Sequence, residues 1–146
     1  MESYARRGVF RSFSQTSKGP GRAEFSFHWL WNLRFRLTFD EKRGALSFNK
    51  LLPDIPAGSQ LETDLKAFIS DCCSPDRPEH RRCDTNRVSI RCSNRRGTFG
   101  VTFRISGNDY EYGAKQAINV VNEMFLGFLS VRHHEYIVKH FHLSSE

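Results

Sequence analysis

Four potential zinc ligands fall within one short stretch of the chain: Cys72, Cys73, His80 and Cys83. Tetrahedral zinc accepts thiolate and imidazole ligands, but structural sites usually present pairs of ligands whose members are separated by two to four residues. Adjacent cysteines fit that geometry poorly, so we expect no bound metal and interpret these thiols as helix-end and loop residues. We also expect no structural disulfide, because neighbouring cysteines rarely pair with each other.

A second group of possible ligands consists of four histidines near the end of the sequence: His133, His134, His140 and His142. On a helix, His133 and His140 would share a face but lie roughly 10 Å apart, too far to bind one metal ion together. His134 and Glu135 match the start of the helical zinc-protease signature, but position 138 is a valine where a second histidine is required. We therefore interpret these imidazoles as surface groups at the negative end of a helix dipole.

Motifs that carry catalysis are missing from the sequence. There is no phosphate-binding glycine loop followed by lysine, no Gly-x-Ser-x-Gly elbow and no dinucleotide fingerprint. Asp109 and Glu111 are better explained as favourable charges at a helix N-terminus than as a catalytic pair. We expect neither enzymatic activity nor a cofactor.

The net charge of +6 is unevenly distributed, because two segments carry an excess of basic residues and the rest of the chain is slightly acidic. Residues 1–22 carry five basic side chains and one acidic, and residues 77–96 carry seven arginines and two acidic side chains. Arginine pairs with phosphate through two hydrogen bonds, so a basic sheet beside a basic arm is competent to bind nucleic acid. The strand aromatics, however, fall on the face that we predict to be buried, which leaves the arginines without stacking partners.

Apolar residues occupy eight consecutive odd positions from Phe25 to Phe39, with mostly polar residues between them. Period two is typical of a strand that is buried on one face. A single strand of this length would run on the order of 50 Å, so we expect a bend or break near residues 30–32. The polar loop at residues 40–44 then closes a hairpin with a strand over residues 45–50. The alternation returns over residues 88–93 and 99–106, which predicts a second hairpin.

Helix signals follow each hairpin. Ser59 with Glu62 forms a capping box that predicts a helix over about residues 59–71. After Gly107, Asn108 or Asp109 can cap a long helix with an apolar stripe, and a last short helix is predicted over about residues 133–142.

These elements predict an α+β domain in which an antiparallel sheet of two hairpins has its helices packed on one face. Residues 23–146 form this single domain, and residues 1–22 are predicted to be a flexible basic N-terminal arm because they are polar and glycine-rich. The other face of the sheet and its turn then offer a candidate partner-binding surface: Arg34, Arg36, Arg91, Arg95, Arg96 and Arg104. An open sheet with free edges invites a protein partner, commonly a second copy, so we predict a homodimer.

The order of hairpin, helix, hairpin and long closing helix, with Asp109 and Glu111 entering the last helix, resembles the fold of type III secretion chaperones and of the related small YbjN-like bacterial proteins. The resemblance covers about residues 33–131. It implies a non-enzymatic homodimer that holds a partner polypeptide, and it transfers no individual functional residue.

The length of 146 residues suits one domain with its own core, and no apolar stretch is long enough to span a membrane. Because the N-terminus also lacks the apolar segment of a secretory signal, we expect a cytoplasmic protein. The sequence thus favours a protein-binding or chaperone-like module, with nucleic-acid binding through residues 77–96 and the N-terminal arm as the alternative.

Overall fold

The structure is a computed structural model that describes residues 10–30, 33–74, 76–77, 84, 86–107 and 109–141. Its strands are β1 (Arg11–Gly19), β2 (Arg22–Trp29), β3 (Leu33–Asp40), β4 (Ala45–Leu52), β5 (Val88–Arg95) and β6 (Thr98–Ile105). Its helices are α1 (Gln60–Cys72), α2 (Tyr110–Glu123), which continues through a π-helical segment (Met124–Leu129) and a final turn (Ser130–Arg132), and α3 (His134–Phe141).

The six strands of the described residues form one antiparallel sheet in the order β1-β2-β3-β4-β6-β5. The first four strands run as a meander, and α1 then carries the chain across the sheet so that β6 pairs with β4. The α+β fold class is therefore confirmed, with a larger sheet than two hairpins supply.

The interruption near residues 30–32 is confirmed, because β2 ends at Trp29 and β3 begins at Leu33. The two strands pair with each other in continuous register from Arg22 opposite Asp40 to Trp29 opposite Leu33. Both halves of the apolar alternation therefore point to the same side of the sheet, where Phe27, Phe35 and Leu37 are buried.

The first strand corrects the expectation for the N-terminal arm. Residues 11–19, which composition placed in a flexible segment, instead form the edge strand β1 and pair with β2. Phe10 is buried against Phe27, with ring centroids 4.0 Å apart, and Phe13 stacks on Phe25. Two phenylalanines are enough to hold this polar strand in the sheet, because β2 already offers it the hydrogen-bonding groups of its backbone.

Helix α1 begins as predicted, one residue after its cap. Ser59 Oγ accepts a hydrogen bond from the backbone N–H of Glu62, while the Glu62 carboxylate accepts from the N–H of Gly58. Leu65 and Ile69 then face the sheet and are buried. The helix contacts β5, and Asn94 Nδ2 of that strand donates to the Glu62 carboxylate.

Helix α2 covers the middle of the sheet, and its predicted apolar stripe is confirmed. Ala117, Val121, Phe125 and Leu129 are fully or almost fully buried. The helix widens to a π-helical segment at Met124, and Ser130 Oγ donates to the carbonyl oxygen of Phe125 at 2.8 Å. The core therefore lies between this helical layer and one face of the sheet, and the opposite face is open.

Candidate functional site

The open face of the sheet, which we call the outer face, is built by the polar positions of the strand alternation. One row of side chains runs directly across the sheet from β1 to β5. In strand order it reads Thr16, Glu24, Thr38, Ser47, Thr102 and Arg91. All of these residues except Thr16 line a groove on this face.

A groove of about 830 Å³ follows this outer face. Its lining is polar and basic: the cations are Arg22, Arg43, Lys50, Arg91, Arg95 and Arg104, and the acids are Glu24 and Asp40. No aromatic side chain belongs to the lining among the residues that the structure describes. The groove therefore suits an anionic ligand and offers no apolar anchor.

The positive charge of the groove is divided unequally between its two halves. On the β2–β3 side, Asp40 lies 3.4 Å from the Arg22 guanidinium and 3.8 Å from that of Arg43. On the β6–β5 side, Arg91 and Arg104 are exposed and form no ion pair with any residue in the described part of the chain. The lining on the β2–β3 side thus has two arginines and two carboxylates, Asp40 and Glu24, whereas Arg91, Arg95 and Arg104 on the β6–β5 side have no carboxylate beside them in the lining. The β6–β5 half consequently holds the uncompensated charge.

Two hydroxyl groups meet at the centre of the groove floor. Ser47 Oγ and Thr102 Oγ1 are 3.1 Å apart, and either can donate to the other. Both side chains are half-buried, so a ligand in the groove can reach them. Sequence reasoning missed Ser47, although its position between Leu46 and Phe48 in the alternation carried the signal.

The candidate partner-binding arginines do not form one patch. Arg91, Arg95 and Arg104 line the groove, whereas Arg34 and Arg36 border a separate recess of about 30 Å³ and Arg96 occupies the β5–β6 turn. Arg34 also donates through Nε to Ser26 Oγ at 3.0 Å.

The recess beside Arg34 and Arg36 exists because β3 and β4 separate along their length. Their pairing is confined to Thr38–Asp40 opposite Ala45–Ser47, and Phe35, Phe48 and Phe125 fill the gap below. A volume of this size holds about two waters and no larger ligand.

Two arginines of the basic segment 77–96 serve the fold. Arg77 forms ion pairs with Asp71 and Glu123, and its side chain is only 13 % exposed. Arg87 pairs with Asp109 and lies over the ring of Tyr112, 3.6 Å from its centroid. Arg81 and Arg82 lie outside the described residues. Some arginines of this segment therefore stabilise the fold, and others lie on the surface. A count of the charges in the sequence does not distinguish the two groups.

The cysteines of the described residues are not arranged for metal chemistry. Cys72 is buried, and burial raises the pKa of its thiol to about 12. Burial likewise raises the pKa of Cys92 to about 11. His80 and Cys83, the other members of the candidate zinc set, lie outside the described residues. Within those residues no group of three or more histidine, cysteine or carboxylate side chains is placed to hold a metal ion.

Of the four candidate histidines, His133 has a defined contact. Its Nε2 lies 3.0 Å from Asp64 Oδ2, and its ring packs against Phe128. This contact ties the end of the α2 helix to α1, so it is a structural link. His134 is exposed, and His142 lies outside the described residues.

Comparison with protein-family models, with curated proteins and with solved structures found no match to this chain. None of the helices in the described ranges is both long enough and apolar enough to cross a membrane. The function is therefore inferred from the properties of the groove itself.

Proposed function

We propose that this protein is a non-enzymatic binding module that holds nucleic acid in the groove of its outer face. The observation that carries the proposal is the uncompensated charge of Arg91, Arg95 and Arg104 beside a hydroxyl-lined floor. Phosphodiester groups offer the matching chemistry, because guanidinium groups form charge-assisted hydrogen bonds with phosphate oxygens.

The composition of the groove favours contacts to the sugar-phosphate backbone over contacts to bases. Recognition of single strands usually relies on bases stacked on exposed aromatic rings. The strand aromatics near the groove, such as Phe35, Phe48 and Phe103, are buried on the other side of the sheet. Binding through phosphates alone supplies affinity with little sequence preference.

The salt dependence of the affinity tests this proposal. If three phosphates contact Arg91, Arg95 and Arg104, the logarithm of the association constant falls with the logarithm of salt concentration with a slope of about −2.7 for a duplex. Fluorescence anisotropy with labelled duplex and single-stranded oligonucleotides measures that slope directly.

A charge-matched pair of variants separates the groove from the overall charge. Replacement of Arg91, Arg95 and Arg104 by Gln should abolish most of the affinity and flatten the slope. Replacement of Arg34, Arg36 and Arg96 by Gln removes the same charge outside the groove and should leave most of the affinity intact. Equal losses in the two variants, or no binding by the wild-type protein, would contradict the proposal.

A second candidate function is the protein-binding or chaperone-like homodimer. It is favoured by the two edge strands: in the described part of the chain, β1 pairs only with β2 and β5 pairs only with β6. Unpaired backbone groups on such edges can add a strand from a partner or from a second copy.

Light scattering at low and high salt, with and without oligonucleotide, distinguishes the two candidates. A dimer that persists at high salt and has no affinity for nucleic acid would favour the protein-binding function. A species that binds oligonucleotide at low salt and releases it at high salt would favour the nucleic-acid function.

A further inference from the structure

In the row of polar side chains across the sheet, a threonine lies on each side of Ser47, but the charged residues beyond the two threonines have opposite signs. Ser47 lies at the centre, with Thr38 opposite it on β3 and Thr102 opposite it on β6. The next residue outward from Thr38 is Glu24, whereas the next residue outward from Thr102 is Arg91. The same threonine chemistry therefore stands beside a carboxylate on one side and beside a guanidinium on the other.

A second cation completes the Thr102 side. Arg104 lies two residues further along β6 on the same face, about 6.7 Å away along the strand. It sits opposite Ser89, so Arg104 and Arg91 are diagonal neighbours across Thr102. Side chains in that relationship are close enough for two arginines to contact one ligand group.

The hydroxyl pair leaves one donor available to a ligand. Ser47 and Thr102 carry two O–H hydrogens, and their mutual contact of 3.1 Å uses one of them. The other hydrogen is free to point into the groove. A tetrahedral anion above Thr102 would thus receive an O–H donor from the floor and N–H donors from Arg91 and Arg104.

We infer that Thr102, Arg91, Arg104 and Ser47 form a phosphate-binding subsite, and that bound phosphodiester groups lie on the β6–β5 half of the groove. This inference rests on the proposed function and specifies where in the groove the backbone is held. The β2–β3 half is less favourable for an anion, because its lining contains two carboxylates, Glu24 and Asp40, whose formal charge balances that of Arg22 and Arg43.

Matched threonine variants test the neutral part of the subsite. Thr102→Val removes the hydroxyl and keeps the β-branched shape, so the sheet should be preserved. We expect it to weaken binding of a labelled duplex roughly tenfold, since a hydrogen bond to a charged group is lost, while the salt slope stays unchanged. Thr38→Val makes the same chemical change beside Glu24 and should alter the affinity less than about twofold.

Matched arginine variants test the charged part. Arg91→Gln should make the salt slope shallower by about 0.9, the amount that corresponds to one phosphate contact. Arg22→Gln removes a charge already shared with Asp40, so the slope should change much less. Measurement with duplex DNA and duplex RNA of one sequence distinguishes the two sources of phosphodiester.

The outcomes separate the subsite from the wider proposal. If Thr38→Val matches Thr102→Val, or Arg22→Gln matches Arg91→Gln, while wild-type binding persists, the subsite is overturned and the nucleic-acid function stands. If the wild-type protein binds neither duplex, both are overturned. Thermal unfolding of each variant shows whether a loss of affinity reflects a loss of fold.

Discussion

Arg77 and Glu123 form a two-pronged ion pair that joins the chain segment after α1 to the last residue of α2. The Nη1 and Nη2 atoms of Arg77 lie 2.9 Å and 3.1 Å from the two carboxylate oxygens of Glu123. Nε of the same guanidinium reaches Asp71 in α1 at 3.1 Å. Arg77 thus links α1 to α2 at the edge of the core.

Replacement of Arg77 by Gln should therefore destabilise the fold. We expect the free energy of unfolding to fall by about 2 kcal/mol, less than for a fully buried pair because Glu123 remains 30 % exposed. Denaturant unfolding monitored by circular dichroism measures this change. Arg91→Gln, at an exposed and unpaired position, should change the stability by less than about 0.5 kcal/mol. Similar values for the two variants would show that the ion pair contributes nothing.

Strand β1 gives a prediction that distinguishes an ordered edge from a flexible arm. Phe10 is 3 % exposed and contacts the rings of Phe27 and Trp29. Phe10→Ala should lower the free energy of unfolding by about 3 kcal/mol, the usual cost of deleting a buried aromatic ring. Ser14→Ala, on the outer face of the same strand, should be nearly neutral. If Phe10→Ala is equally neutral, residues 10–19 do not pack on the sheet in solution.

The sequence predicted the strands that have an apolar face, but it missed β1, which lacks one. Phe27, Phe35 and Leu37 are buried, as the strict alternation predicts, and that alternation also placed Arg36 and Arg104 on the outer face. Residues 11–19 contain one apolar residue among polar ones, and such an edge strand is held by its neighbour's backbone more than by its own side chains. Its composition therefore resembles that of a flexible segment.

The composition of the groove could not be predicted from local pattern. Which residues share its floor depends on the pairing of β4 with β6, a contact between strands that are separated by α1 and by the basic segment. Ser47 and Thr102 meet only through that pairing, and Arg77 and Glu123 form their ion pair across 46 residues of sequence. The periodicity of the sequence determines which side chains lie on the same face of a strand. Strand order and ion pairing, by contrast, arise from tertiary packing.

Gly100 shows how closely β4 and β6 approach on the outer face. A Cβ atom at this position would lie 2.8 Å from the carbonyl oxygens of both Phe48 and Asn49, which belong to the irregular part of β4. Gly100→Ala should thus force the two strands apart and cost about 2 kcal/mol of stability. It should also weaken nucleic-acid binding, because the strands that carry Ser47 and Thr102 would shift.

A second glycine provides the matched comparison. At Gly127, in the π-helical segment, an added Cβ would lie 3.6 Å from Glu123 Cγ, an ordinary van der Waals contact, and apart from its chain neighbours and its own helix backbone no other atom of the described residues comes within 4 Å. Gly127→Ala should therefore leave the fold intact and raise its stability by up to about 1 kcal/mol, because alanine has the higher helix propensity. Thermal unfolding of the two variants side by side measures the difference. A destabilising Gly127→Ala, or a neutral Gly100→Ala, would contradict these packing assignments.

Glu62 links α1 to the end of β5 and makes stability depend on pH. Its carboxylate accepts hydrogen bonds from the N–H of Gly58 and from Asn94 Nδ2, and these bonds lower its pKa below the ordinary glutamate value. A lowered pKa in the folded state means that the ionised carboxylate favours folding above the unfolded-state pKa of about 4.3. That contribution disappears as the pH falls through the lowered pKa of the folded state.

A comparison of the wild-type protein with Glu62→Gln isolates this effect from the other carboxylates. Wild type should be the more stable protein at neutral pH. The difference should shrink as the pH falls below about 4.3, where Glu62 of the unfolded chain takes up a proton, and should be lost once the pH passes the lower pKa of the folded state. Denaturant unfolding at a series of pH values measures it. If the difference stays constant across this range, the hydrogen bonds from Gly58 and Asn94 do not depend on the charge of Glu62. Only the shape of the side chain would then matter at this junction.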